Sequence, residues 1–188
     1  MAATTGLRRG ELAGLRWRDV DFPAGRIVVA QQRAKGGGSV TADPTKTRRS
    51  RRLISLDERT LDIRREHRRR QVELRLMAGP AFQDHDLVFC LADGRPLHPD
   101  RLTQMFRDRS RASGLPYLTL HGLRHSHATQ MLRAGVHPKV VQERLGHSSI
   151  AITLDTYSHA IPAMQEDAAQ RAAALIDTPD DERAEDQR

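Results

Sequence analysis

The chain is poor in residues that would cross-link it, hold a metal through sulfur, or anchor it in a membrane. Cys90 is the only cysteine among 188 residues, which excludes a disulfide framework and a cysteine-based zinc site and points to a reducing compartment. No apolar run reaches the ~18 residues of a membrane span, and the N-terminus lacks the apolar core of a signal peptide. The expectation is a soluble, cytoplasmic protein with no membrane partner. Lysine is scarce too, at 3 residues against 28 arginines, so any lysine role falls to Lys35, Lys46 or Lys139.

What is present is positive charge, unevenly spread. The net charge of +7 divides into +10 over residues 1–75, +3 over 76–150 and −6 over 151–188. A basic body with an acidic end fits a polyanionic partner and an extended tail. Arginine-rich usage can also follow from a GC-rich genome, so charge alone does not decide the partner.

The pattern along the chain predicts an α+β protein, mainly helical, with a small antiparallel β-sheet near the N-terminus. TGLRRGELAGLRW reads as one amphipathic helix carrying Leu7, Leu12 and Leu15. Strands are expected over Arg26–Gln32, Ser39–Thr41 and Arg51–Leu56, with DPTKTRRS as a basic hairpin loop between the last two. Asp57 should cap a basic helix over Glu58–Met77 whose polar face carries Arg64, Arg65, Arg68, Arg69 and Arg70. Further helices are expected over Pro99–Ser113, His121–Ala134, from Pro138 to Gly146, and from Ser148 or Ser149 through Thr156. Leu123, Met131, Leu132, Val140, Val141 and Leu145 are the expected core of this part. The final DTPDDERAEDQR has the composition of a disordered tail.

Chemistry concentrates between Leu120 and Tyr157. His121, Arg124 and His125 share one helix face, followed by Leu145-Gly146-His147 and then by Tyr157. One site holding them would combine a fixed cation for a phosphate, imidazoles for proton transfer and a phenol able to attack. That set reads as metal-free phosphoryl transfer on DNA. Arginine suits the task because its planar fork donates paired hydrogen bonds and keeps its charge. A phenol with a pKa of about 10 needs a base and a positive field. His121, one turn from Arg124, is the better base; His147 is expected to donate to a phosphate oxygen, and His125 to be structural.

TGLRRGEL, PTKTRRSRRLISL, HGLRH, LGH and TLDTYSH, in that order, resemble the catalytic domain of tyrosine recombinases, the phage-integrase type of site-specific recombinase. The resemblance implies that Arg8 and Arg124 clamp the scissile phosphate. It implies that Lys46 protonates the leaving oxygen, that His121 and His147 complete the site, and that Tyr157 is the nucleophile. Glu11 matches the acidic residue that follows the first arginine in such domains. The product would be a 3′-phosphotyrosyl intermediate and a 5′ hydroxyl, made without cofactor, metal or ATP on double-stranded DNA by a homo-oligomer, a tetramer on paired sites. A catalytic domain is expected over 1–176 and an acidic tail over 177–188, with the family's N-terminal core-binding domain absent and N-terminal material missing.

Blander readings stand beside these. Arg8 can be a surface arginine paired with Glu11, and Lys46 a simple phosphate contact. A zinc site from His121, His125 and His147 is conceivable, although Arg124 would repel the cation and no carboxylate accompanies them. The alternative function is a non-catalytic or truncated DNA-binding module.

Overall fold

The computed structural model describes residues 1–36, 39–44, 51–157, 169–170 and 172–173, with side chains outside 32–36, 39–44 and 156–157. The opening stretch is two short helices, α1 (Ala2–Thr5) and α2 (Arg9–Gly14), and not one. Gly6 breaks them. It adopts φ 64°, and a Cβ there would meet Leu145 Cδ2 at 2.6 Å and His127 Cδ2 at 2.9 Å, so the chain turns where only glycine fits. Leu7, placed in the turn, still reaches the core.

The β region is also divided. Strands β1 (Val20–Asp21), β2 (Arg26–Val29) and β5 (Arg52–Ser55) form an antiparallel sheet in the order β1-β2-β5, while β3 (Gln31–Gly36) and β4 (Ser39–Pro44) form a separate pair. Ile27 and Val29 point inward from β2, and the apolar alternation ends there. Gln31 then turns its amide to the carbonyl of Gly14, donating from Nε2 at 2.8 Å, and the chain leaves the first sheet. The expected pairing of Ser39–Thr41 with Arg51–Leu56 is not made: β5 pairs with β2, Ile27 opposite Ile54, and β4 with β3, while residues 45–50 lie outside the described residues.

The helices follow their caps. Asp57 accepts from Thr60 N at 2.9 Å and starts α3 (Glu58–Ala78). Pro99 opens α4 (Pro99–Ala112); Thr119 accepts from Gly122 N at 2.8 Å and caps α5 (Leu120–Arg133). Pro138 begins α6 (Pro138–Leu145), Gly146 ends it in the left-handed region, and α7 (Ile150–Tyr157) follows with Ser149 at its start. Among the described residues no helix is long and apolar enough to cross a membrane.

Two apolar clusters hold this together. Leu7, Leu12, Leu15, Ile27, Val29, Ile54, Val88 and Leu120 join the N-terminal helices, the three-stranded sheet and the start of α5. Ala128, Leu132, Val141 and Leu145 join α5 to α6. Val140, expected in the core, is half exposed because Val141 takes the inward position of the same turn.

Arg64 departs from the expected polar face. It shares the buried side of α3 with Thr60 and Leu61, lies 5.4 Å from the Phe89 ring centroid, and has no partner for its buried Nε and Nη1. Burial lowers its pKa. Unmet buried donors cost roughly 1–3 kcal/mol and the ring contact returns about 0.5–1 kcal/mol. Arg64→Met is accordingly expected to stabilise the chain by about 1 kcal/mol, seen as a higher urea midpoint at constant slope. A lower midpoint would show that the buried cation has compensation.

Candidate active site

The end of α6 organises the site. The last carbonyls of a helix lack intrahelical partners and carry partial negative charge. Here three successive ones each accept from a guanidinium brought by a different segment. Arg52 Nε of β5 donates to Arg144 O at 2.7 Å, Arg124 Nη2 of α5 to Leu145 O at 2.8 Å, and Arg8 Nη2 to Gly146 O at 2.8 Å. Arg124 also donates from Nη1 to Gly6 O at 2.6 Å, tying the glycine turn to the same point.

Glu11 is the second organiser. Its carboxylate, 2% exposed, accepts from Arg52 Nη1 and Nη2 at 2.9 Å each, from Arg8 Nη1 at 3.0 Å and from the Arg8 backbone N–H at 2.8 Å. Burial opposes its charge, but the hydrogen bonds and charge of Arg52, then Arg8, outweigh that and hold its pKa below the ordinary carboxylate value.

A cleft of about 570 Å³ opens beside these groups, lined by Arg8, Arg9, Arg107, His121, Arg124 and His147 among others. It brings together Arg8, His121, Arg124 and His147 of the expected site. Arg8 keeps its side chain 40% exposed, so its pairing with Glu11 does not remove it from the cleft. Arg124 is buried behind it, and His121 is exposed at the start of α5. His125, on the same helix, is half-buried and does not line the cleft.

His147 Nδ1 lies 2.9 Å from Thr153 Oγ1, a fully buried hydroxyl of α7. Burial, then the fields of Arg124, Arg8 and Arg52, lower its pKa to about 4, so the ring is neutral at pH 7. His127 belongs to the support: its Nε2 accepts from Arg144 Nε at 3.1 Å, and burial followed by the Arg144 charge lowers its pKa to about 4. Lys46 lies outside the described residues, as does the expected tail 177–188; Tyr157 closes α7, and its side chain is likewise outside them. Among the described residues no group of three or more His, Cys, Asp or Glu could hold a metal ion.

Sequence reasoning missed Arg52 and Thr153. Strand alternation carried a signal for the first, because Arg52 shares the inward side of β5 with Ile54 while Leu53 is 60% exposed.

A model described as the phage integrase family matches residues 1–164. The chain belongs to the phage integrase family. Curated relatives include a XerC-like tyrosine recombinase of Caldanaerobacter subterraneus subsp. tengcongensis, 31% identical over 90% of this chain and 46% of its own length. The ICEBs1 integrase of Bacillus subtilis is 29% identical over 94% of this chain and 48% of its own. The chain thus spans about half the length of the curated relatives it matches. Among solved structures, the Tn1549 transposon integrase in complex with transposon right end DNA is similar with a TM-score of 0.71 at 26% identity, over 89% of this chain and 56% of that one. XerA recombinase is similar with a TM-score of 0.65 at 27% identity, over 90% and 55%. The mainly helical fold with a small antiparallel sheet is that of these integrase-family proteins.

The two depressed histidines make stability depend on pH. Both rings have native values of about 4 against 6.5 for the free side chain, so the fold favours their neutral forms. Their contribution is complete above about pH 6.5 and is lost as pH falls toward 4. Discounted for water access, the two together should cost on the order of 1–2 kcal/mol at pH 4.5. Urea midpoints at pH 7.5 and 4.5 measure this, and the fall should shrink in His127→Gln; an equal fall in that variant would assign the acid limb to other groups.

Proposed function

We propose that this chain is the catalytic domain of a site-specific recombinase that cleaves and rejoins double-stranded DNA through Tyr157. The observation that carries the reading is the single cleft lined by Arg8, His121, Arg124 and His147. In attack on a phosphodiester, charge builds on the non-bridging oxygens, and two fixed guanidinium groups are suited to stabilise it there. Tyr157 Oη forms a bond to phosphorus as the P–O5′ bond breaks. The phenol proton passes to His121, and the 5′ oxygen takes a proton from Lys46.

His147 serves as a neutral donor in this scheme. With Thr153 donating to Nδ1, the ring proton sits on Nε2 and can bond a phosphate oxygen; Tyr157 stands one helical turn beyond Thr153 on α7. A groove of about 830 Å³ lined by Arg51, Lys139, Ser148 and Ser149 adjoins His147 and supplies donors for flanking backbone phosphates. The transposon DNA held by the similar Tn1549 integrase supports DNA as the substrate. Each tyrosine serves one strand, so joining two duplexes requires several copies on paired sites.

The test is incubation of the chain with a pool of nicked duplexes of randomised sequence, followed by denaturing electrophoresis. A covalent protein–DNA band that forms in the presence of chelator is expected. Salt-sensitive retention of DNA with no covalent band would overturn the proposal in favour of a binding module.

A further inference from the structure

The catalytic reading gives no task to Arg52, yet its side chain, like that of Arg8, is tied to both organisers of the site. Arg52 is 7% exposed; it does not line the cleft of about 570 Å³ and stands at the wall of the groove of about 830 Å³. It grips both oxygens of Glu11 at 2.9 Å and, through Nε, the Arg144 carbonyl at 2.7 Å. It also lies hard against the glycine that follows α6: a Cβ on Gly146 would stand 2.9 Å from Arg52 Nη1.

Arg8 shares this carboxylate. Oε1 accepts from both Arg8 Nη1 and Arg52 Nη1, and Oε2 from the Arg8 backbone N–H and Arg52 Nη2. A guanidinium facing an uncontested carboxylate closes on it through two parallel bonds. Arg52 occupies both oxygens, so the Arg8 side chain holds Glu11 by one bond, reaches Gly146 O by another, and keeps the rest of its fork available.

We propose that Arg52 is a positioning residue: by competing for Glu11 and bracing the end of α6, it keeps Arg8 open to the cleft and fixes the turn that carries His147. This rests on the catalytic reading above. Removing Arg52 frees Glu11 to take Arg8 in a two-bond pair, which withdraws donors from the phosphate without removing the charge. DNA affinity then holds while the chemical step slows.

The experiment measures covalent adduct formation by the whole chain on the duplex recovered from the randomised pool, as a saturating rate and a half-saturating DNA concentration, beside the melting temperature. Arg52→Gln should lower the saturating rate by about tenfold or more, the scale of a misplaced transition-state donor. The half-saturating concentration should stay within about threefold, as expected when a transition-state interaction alone is lost. Arg52→Lys, which keeps a cation beside Glu11, should recover part of the rate and guards against loss through misfolding. In an Arg8→Lys background, Arg52→Gln should cost less than it does in the parent chain, because one of the two groups it positions is already gone. Full-rate Arg52→Gln, losses that multiply in the double variant, or a rate that falls only in step with melting temperature would each overturn the proposal. Absence of adduct from the unaltered chain would instead overturn the catalytic reading itself.

Discussion

Tyr157→Phe is expected to leave DNA retention and melting temperature unchanged and to remove the covalent protein–DNA product, a fall of at least ~10³-fold, the scale of a lost nucleophile. The substitution deletes one oxygen from an aromatic ring of the same shape and is close to volume-conserving. The chemistry is not conserved, because no atom is left to form the phosphorus bond. Arg8 and Arg124 line the cleft, and their charge adds to burial, the larger cause, in lowering the His147 pKa to about 4. On the proposed mechanism the phenol enters this positive field, which lowers the cost of a phenolate relative to a free phenol of pKa about 10. Denaturing electrophoresis after incubation with the nicked duplex pool reads the result. A band of equal intensity from Tyr157→Phe would move the nucleophile to another residue.

Much of this arrangement was legible because local chemistry and long-range order agreed. Asp57, Pro138 and Gly146 mark the helix ends where the sequence places them. The ordered motifs placed Arg8, His121, Arg124 and His147 in one site, and the cleft brings those four together. Three features resisted reading, each because it depends on a partner far along the chain. The opening helix breaks at Gly6 because Leu145 and His127 come too close for a Cβ. The strand breaks after Val29 because Gln31 answers the Gly14 carbonyl. Arg64 looked like one more arginine of a basic face, but Thr60 and Leu61 on the same helix side turn it inward, onto Phe89. Arg52 resisted for a related reason: its partners Glu11 and Arg144 stand 41 and 92 positions away, and no local period reports that.

Arg124 should prove the least replaceable arginine, because on the proposed mechanism its fork serves structure and chemistry at once. Arg124→Ala removes the donors to Gly6 O at 2.6 Å and to Leu145 O at 2.8 Å, in a buried setting. Each acceptor left without a partner costs roughly 1–3 kcal/mol, so unfolding free energy should fall by about 2–5 kcal/mol. Adduct formation should fall by about 10²–10³-fold as well, the scale of one lost preorganised donor. Arg124→Lys separates the two effects. Lysine keeps the charge and can satisfy one carbonyl, so most of the stability should return, yet a single ammonium cannot bridge both segments and face the phosphate with a planar fork. The expected result is a chain that melts near the parent temperature and forms adduct at least ~30-fold more slowly, bounded by the transition-state value of that donor. Measured by urea unfolding and adduct rate together, an Arg124→Lys chain that recovers both stability and rate would assign Arg124 to the scaffold alone.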